Sequence, residues 1–168
     1  MIARRTLIAN AMYTIALYAY FLPATAQNSS KNIIKTSLLP WPADLLQAAL
    51  AANTRGEPMV LMVSLPGCPW CELLRRNYLG PMQSEGVAAY EFMINERGRT
   101  VLDFKGQRST PAVLSTALKV TNTPTLLFFN AQGLEIAPRI EGVASADFIG
   151  VILDERLTIA RERIKPAR

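Results

Sequence analysis

The chain has 168 residues, of which 50% are apolar, enough to bury the core of one domain without the composition of a polytopic membrane protein. Its net charge of +5 is ordinary for a small domain, and no basic run interleaved with aromatic residues indicates nucleic-acid binding. The lack of histidine excludes Ser-His-Asp triads, Cys-His nucleophile pairs and metal sites with histidine ligands. Two cysteines are too few for a four-thiolate metal site. We therefore expect neither a bound metal nor a cofactor.

The first 26 residues predict an export signal. A positive start, Arg4-Arg5, precedes an almost wholly apolar run over 7–22, which Pro23 ends, and Ala24-Thr25-Ala26 fits the small-x-small cleavage pattern. We expect cleavage after Ala26. The alternative is an uncleaved anchor, although the run is shorter than the roughly 20 residues that a spanning helix needs. Because thiols outside the cytoplasm tend to oxidise, a cysteine pair there is expected to be a disulfide or to cycle through one.

A linker over 27–40 is expected to lead into a single domain over 41–168. The domain opens with a predicted helix entry at 41–44 (Trp-Pro-Ala-Asp), followed by apolar residues at helical spacing. Trp41 is expected to be a packing residue. The next run, 59–65 (MVLMVSL), predicts a central strand that is buried on both faces.

A helix is predicted to begin around Cys68-Pro69 and to run towards Leu79. The preceding Pro66-Gly67 turns the chain, and proline suits the first helical position, where its missing N–H costs nothing. Arg75 and Arg76 would then form a solvated face of this helix.

The second half of the domain predicts further alternation of strands and helices. A strand over 88–94 precedes a polar segment, 95–107, which we interpret as a loop or insertion with a short strand over 101–104. Thr110-Pro111, a capping residue followed by proline, opens a helix that continues through Leu118.

A hairpin and a last helix complete the domain. The strands 125–130 and 134–140 are predicted around the turn 131–133, and Ser145 is predicted to cap the helix. The predicted apolar face of this helix consists of Phe148, Ile149, Ile152, Leu157, Ile159 and Ala160. The predicted cations at its C-terminal end are Arg161, Arg163, Lys165 and Arg168. This order of elements predicts a small α/β sheet sandwiched by helices.

The motif that carries chemistry is Cys68-Pro69-Trp70-Cys71. At a helix start, Cys68 and Cys71 face the same side within disulfide reach. Unpaired backbone N–H groups there stabilise a thiolate at Cys68 and lower its pKa, and a thiolate is the nucleophile of thiol–disulfide exchange. Cys71, one turn further in, suits resolving the mixed disulfide. The alternatives are a two-thiolate metal carrier and an inert staple, a poor one because so short a loop removes little chain entropy.

From Pro58 onwards the chain resembles the thioredoxin family. The resemblance is carried by CPWC at 68–71, Thr123-Pro124 at the start of TPTLLFF, Gly133 of the hairpin and Gly142 before the last helix. Within the family the chain is most similar to periplasmic thioredoxin-related proteins, either SoxW-like or like the catalytic domain of DsbC. The resemblance implies an α/β thioredoxin fold, with a central mixed β-sheet flanked by helices.

The resemblance also implies roles for individual residues. Cys68 would attack and Cys71 would resolve. Thr123–Pro124 would be a cis peptide bond beside the cysteines, which frees the backbone of Thr123 to pair with an extended substrate segment. Trp70 and Pro69 are expected to contact the substrate. The alternatives are an ordinary strand-start proline and an exposed tryptophan without a binding role.

Departures from cytosolic thioredoxins concern groups near the thiols. The buried aspartate that those proteins have six residues before the first cysteine is replaced by Met62, so Cys71 has no obvious buried base. Glu72 and Arg75 both lie within a turn of the cysteines and act on the thiol pKa in opposite directions, so the sequence does not predict the redox poise.

We therefore expect an exported thiol–disulfide oxidoreductase that reduces disulfides in periplasmic client proteins. Its partners would be cysteine-containing exported proteins and a membrane thiol or electron carrier, and not nucleic acid. No second, dimerising domain is visible, which argues against an isomerase of the DsbC type, and we expect a monomer. The alternatives are a disulfide oxidase of the same fold, a non-catalytic chaperone or assembly module, and a membrane-anchored form.

Overall fold

The computed structural model describes residues 39–164, so the predicted export signal, most of the predicted linker, Lys165 and Arg168 lie outside the described residues. None of the described helices is long and apolar enough to cross a membrane. Leu39 is buried in the core, and the Pro40 carbonyl accepts a hydrogen bond from the Glu91 N–H at 3.1 Å. Tertiary packing therefore already includes the two residues before Trp41.

The predicted alternation of helices and strands is present in residues 39–164. In chain order the elements are α1 (Leu45–Asn53), β1 (Met59–Ser64), α2 (Pro69–Leu74), a π-helical turn (Arg75–Leu79), α3 (Gly80–Ser84), β2 (Ala88–Met93), β3 (Val101–Leu102), β4 (Arg108–Ser109), α4 (Pro111–Ala117), β5 (Thr125–Phe129), β6 (Ile140–Glu141) and α5 (Ile149–Ile164). Side chains fix two of the helix starts. The Asp44 carboxylate accepts from the Gln47 N–H at 2.9 Å ahead of α1, and the Thr110 hydroxyl accepts from the Val113 N–H ahead of α4.

Four strands form one mixed sheet in the order β2-β1-β5-β6. Strand β1 pairs in parallel with β2, where Met59 lies opposite Ala88, and antiparallel with β5, where Met59 lies opposite Phe129. Strand β6 pairs antiparallel with β5, and β3 and β4 form a separate two-stranded ribbon. The prediction of an α/β fold with a central mixed sheet flanked by helices is confirmed.

Strand β1 lies at the centre of the core, and all six of its residues are buried. Because side chains alternate along a strand, Val60 and Met62 pack with α2, α3 and α5 on one face of the sheet, while Leu61 and Val63 pack with α1 and α4 on the other. On the second face Trp41 packs against Phe92 with ring centroids 6.4 Å apart, as expected of a packing residue.

The prediction of a return strand over 134–140 is wrong for most of its length. Within the returning segment 134–141, only β6 and a single bridge between Phe129 and Glu135 pair with β5. Pro138 has no N–H to give to a strand ladder, and the Asn130 side chain holds the Leu134 N–H at 2.9 Å in a loop.

The last helix begins at Ile149, later than the predicted cap at Ser145. The Ser145 hydroxyl accepts from the Asp147 N–H in a turn ahead of the helix, which leaves Phe148 outside the predicted apolar face and 65% exposed. The remaining predicted face is buried or partly buried, with Leu153 added. Arg161, predicted as a cation at the helix end, forms an ion pair with Glu57 at 2.9 Å.

Candidate active site

The cysteine pair lies where the chain leaves the central strand and enters a helix. Strand β1 ends at Ser64, and Gly67 adopts a φ of +75°, a left-handed conformation that favours glycine. Cys68 is the extended residue before α2, and Pro69 takes the first helical position as predicted. The turn is held by a hydrogen bond of 3.2 Å from the Cys68 N–H to the Leu65 carbonyl.

Cys68 and Cys71 form a disulfide, with their Cα atoms 5.3 Å apart. The Cys68 sulfur also accepts a hydrogen bond from the Cys71 N–H at 3.2 Å. Cys71 is fully buried, whereas Cys68 is partly exposed. The sulfur that a client can reach is therefore that of Cys68, and an N–H at the helix start is already directed at it, which stabilises negative charge on that sulfur after reduction.

A groove of about 430 Å³ opens beside Cys68. Its walls combine apolar side chains with the charged Glu72 and Arg75, and the lining residues are Leu65, Pro66, Gly67, Cys68, Pro69, Glu72, Arg75 and Met93. Trp70 is 43% exposed and Pro69 is also exposed. Two of the predicted substrate-contacting side chains therefore face solvent next to the reachable sulfur.

The Thr123–Pro124 peptide bond is cis. It lies at the end of the sheet where β1 ends and the cysteine turn begins. The register places Thr125 opposite Val63, so the residues just before Thr125 lie beside the end of β1. Pro124 is buried, and its carbonyl accepts from the Gly142 N–H at 2.7 Å. Within residues 39–164, no partner for the backbone N–H or C=O of Thr123 is found.

The helix that carries the cysteines is longer than predicted. After α2 the π-helical turn Arg75–Leu79 leads directly into α3, which ends at Ser84. The extra residue per turn in a π-helix changes which side chains face the sheet. Arg75, the first residue of this turn, is directed inward and is only 7% exposed, so the prediction of a solvated Arg75 is wrong, whereas Arg76 is exposed as predicted.

A buried carboxylate on β2 explains why Arg75 is directed inward. Arg75 Nε donates to Glu91 Oε2 at 2.8 Å and Arg75 Nη2 donates to Glu91 Oε1, a two-pronged ion pair in which both side chains are at most 9% exposed. Arg75 Nη1 also donates to Glu72, and Arg76 forms an ion pair with the other oxygen of Glu72. The hydrogen bond to Glu91 is the main cause that raises the pKa of Arg75 above its usual value, so Arg75 is always charged.

Glu91 is a residue near the site that the sequence analysis missed. Glu91 lies beside Met62 in the parallel pairing of β2 with β1, on the face covered by α2. A carboxylate is therefore buried next to Met62, the residue that replaces the buried aspartate of cytosolic thioredoxins. A single charged residue within the otherwise uncharged strand 88–93 (AAYEFM) was the signal, because a buried charge requires a partner.

Residues 39–164 contain no group of three or more His, Cys, Asp or Glu side chains that could hold a metal ion. The chemistry that this arrangement supports uses the two sulfurs alone. An exposed sulfur at a helix start and a buried sulfur one turn further in can exchange a disulfide with a client through a mixed disulfide.

Comparisons with solved structures give similar folds at low identity. Thioredoxin O2 from Arabidopsis thaliana, in its oxidised state, is 21% identical over 66% of this chain and 84% of that chain, with a TM-score of 0.46. The periplasmic thioredoxin SoxS from Paracoccus pantotrophus, in its reduced form, is 20% identical over 62% of this chain and 99% of that chain, with a TM-score of 0.40. A DsbH oxidoreductase is 16% identical over 74% and 85%, with a TM-score of 0.48.

No curated protein sequence matches this chain. The family comparison does match: residues 45–155, most of the domain, fit the model of the thioredoxin-like domain. This span contains the cysteine pair, strands β1 and β5, and the cis proline. The chain therefore belongs to the thioredoxin-like family, and with its Cys68–Cys71 pair it is a thiol–disulfide oxidoreductase.

Proposed function

We propose that this oxidoreductase is exported to the periplasm and works there as a reductant of disulfides in client proteins. The export half of the proposal is supported by the sequence of residues 1–26, with its positive start, apolar run and Ala-Thr-Ala cleavage pattern. The clients would be cysteine-containing exported proteins, and the electrons would come from a membrane thiol carrier.

One observation carries the reducing direction: the cations that follow CPWC are paired with carboxylates. A strong disulfide donor needs a reduced form that is stabilised at the thiolate. Here Arg75 contacts both Glu72 and Glu91, Arg76 contacts Glu72, and the chain has no histidine. The Cys68 thiolate therefore gains little from nearby positive charge, which favours a stable disulfide and a protein that gives electrons away.

Client binding would use the surface around Cys68. Its groove, the exposed Trp70 and the unpartnered backbone of Thr123 lie at one edge of the sheet, where an extended client segment can pair with Thr123 as it presents its disulfide to Cys68. The Cys68 thiolate attacks one sulfur of the client disulfide, which breaks that bond, forms a mixed disulfide and releases the other client sulfur as a thiol. Cys71 then attacks Cys68 in the mixed disulfide, which releases the second client thiol and forms the Cys68–Cys71 bond again, so both electrons pass to the client.

The direction is tested by the reduction potential of the Cys68–Cys71 pair, measured by equilibration in glutathione or dithiothreitol buffers. We expect a value near that of thioredoxin, about −270 mV. A value near that of DsbA, about −120 mV, would identify a disulfide donor, and the reductase proposal would be withdrawn.

Clients and compartment are tested together by trapping. A Cys71→Ser variant expressed with its natural N-terminus should accumulate mixed disulfides with exported proteins in the periplasmic fraction, and the mature mass should correspond to cleavage after Ala26. The matched control is Cys68→Ser/Cys71→Ser, which should trap nothing. If that double variant captured the same proteins, the chain would be a binding module whose cysteines are secondary.

A further inference from the structure

The buried Arg75–Glu91 pair borders the groove beside the reactive cysteine. Arg75 lines the same groove as Cys68, together with Glu72. Glu91 lies behind the guanidinium, on β2, and both members of the pair are nearly excluded from water. Charges in such a place are screened much less than surface charges, so their effect reaches neighbouring groups.

The charges around Cys68 cancel as the structure arranges them. Glu72 and Glu91 contribute two negative charges and Arg75 and Arg76 two positive ones, so the four groups sum to zero (−2 + 2). On the far side of Glu91, Glu96 and Arg99 line the neighbouring pocket and also sum to zero, with the Arg99 guanidinium 3.7 Å from the Trp41 ring.

We propose that Arg75 and Glu91 are positioning residues that set the reactivity of the Cys68 thiolate by holding a balanced pair of opposite charges beside it. Neither residue touches the sulfur or exchanges a proton with it. If Glu91 loses its charge, Arg75 becomes a partly uncompensated cation in the wall of the Cys68 groove and stabilises the thiolate. If Arg75 loses its charge, the two carboxylates face only one cation, Arg76, and the net negative charge destabilises the thiolate.

This proposal rests on the thiol–disulfide chemistry of Cys68 and not on the direction of electron flow. The direction is decided by the absolute potential of the natural protein, whereas the role of the pair is decided by differences between variants. Either proposal can therefore fail without the other.

The test compares Glu91→Gln with Arg75→Gln in the reduced protein. The readout is the midpoint of the pH dependence of Cys68 alkylation by iodoacetamide. We expect Glu91→Gln to lower the midpoint and Arg75→Gln to raise it, each by about half a pH unit, which is about a threefold change in thiolate fraction below the midpoint. At pH values above the midpoint, the equilibrium constant for reduction of the Cys68–Cys71 disulfide by glutathione should also change. It should rise about threefold for Glu91→Gln and fall about threefold for Arg75→Gln, which corresponds to a change of about 14 mV in the reduction potential in each direction.

Three controls separate charge from structural damage. The charge-free double variant Arg75→Gln/Glu91→Gln should return the midpoint to that of the natural protein, and Arg75→Lys, which keeps the charge but not the two-pronged geometry, should stay close to it. The remote control is Arg161→Gln, because Arg161 forms a similar two-pronged ion pair with Glu57 at the opposite end of β1, with Nε donating to Oε1 and Nη2 donating to Oε2. It should leave the midpoint unchanged.

Shifts in the same direction for Glu91→Gln and Arg75→Gln, or no shift in either, would overturn the proposal. Each single variant leaves a buried charge with fewer partners and can fail to fold. In that case Glu72→Gln replaces them, because the Glu72 side chain is 37% exposed and its loss leaves Arg75 short of one carboxylate. It should lower the midpoint, and an unchanged midpoint in a folded Glu72→Gln protein would equally refute the role of the pair.

Discussion

The Cys71 side chain lies completely out of contact with solvent, while Cys68, to which it is bonded, is partly exposed at the rim of a groove. The difference arises because Cys68 precedes the first turn of α2, whereas Cys71 lies inside that turn and is buried. The two sulfurs are therefore unequal before any chemistry occurs, and the proposed order of their reactions, Cys68 first and Cys71 second, rests on this inequality.

In the reduced protein, iodoacetamide should modify Cys68 at least about tenfold faster than Cys71 at neutral pH, because alkylation requires an accessible thiolate. Peptide mapping by mass spectrometry after a short exposure measures the ratio. In guanidinium chloride the two cysteines should react at similar rates. Equal labelling of both cysteines in the folded protein would contradict the assignment of Cys68 as the attacking residue.

Replacing Cys68 by serine should abolish the reduction of insulin disulfides, by more than about a hundredfold, because no other thiolate is exposed. Cys71→Ser should abolish turnover as well but should still form a mixed disulfide, since Cys68 remains able to attack. A Cys68→Ser protein that retained exchange activity would show that the chemistry lies elsewhere.

Trp70→Ala should lower kcat/KM for a protein client by about three- to tenfold, mainly through KM, with little change in stability, because exposed aromatic side chains beside a site contribute to binding and not to the core. The matched control is Phe148→Ala, since Phe148 is also an exposed aromatic side chain but lies ahead of α5. Equal losses in the two variants would indicate a general effect of surface aromatic residues and not a client contact at Trp70.

The cysteine pair and its helix start could be predicted from the sequence because they depend on local rules. Proline at the first helical position, a glycine turn before it and a spacing of three between cysteines all act within a few residues. The central strand was predictable for the same reason, since its apolar run is continuous. For such features the sequence neighbours are also the spatial neighbours.

The charge balance at the site could not be predicted in the same way, because its members come together through the register of the sheet. Arg75 and Glu91 are 16 residues apart, and they meet only because β2 pairs in parallel with β1 so that Glu91 lies beside Met62. A helical surface pattern alone placed Arg75 in solvent. Arg75 is directed inward at the point where a π-helical turn begins, and no pattern in the sequence predicted that turn.

Leu74→Ala should reduce the free energy of unfolding by about 2 to 5 kcal/mol, because Leu74 is fully buried between α2 and the sheet and the smaller side chain leaves a cavity. Urea titration followed by circular dichroism measures the change. Val113→Ala on α4 is the control, since Val113 is 59% exposed and should cost less than about 0.5 kcal/mol. Similar costs in the two helices would mean that α2 is not anchored through Leu74.

Two glycines with the same backbone conformation should differ sharply in their tolerance of alanine. Gly106 and Gly133 have φ values of +75° and +74°, so a side chain at either position carries the left-handed penalty of about 1 to 2 kcal/mol. A Cβ at Gly106 meets open space, whereas a Cβ at Gly133 would lie 2.5 Å from Phe104 Cγ and 2.7 Å from Phe104 Cβ. Phe104 cannot easily retreat, because its ring packs against that of the buried Phe129 at 4.8 Å.

Gly133→Ala should therefore lower stability by at least about 1 kcal/mol more than Gly106→Ala, since overpacking adds to the conformational penalty. Paired urea titrations of the two variants measure this difference directly, with the shared left-handed penalty cancelling. The double variant Gly133→Ala/Phe104→Gly tests the cause, because removing the whole Phe104 side chain, including the Cβ 2.7 Å away, should make the two alanine substitutions equally costly when each is compared with its own parent. An unchanged difference in the Phe104→Gly background would mean that the hairpin backbone, and not the Phe104 side chain, requires glycine at position 133.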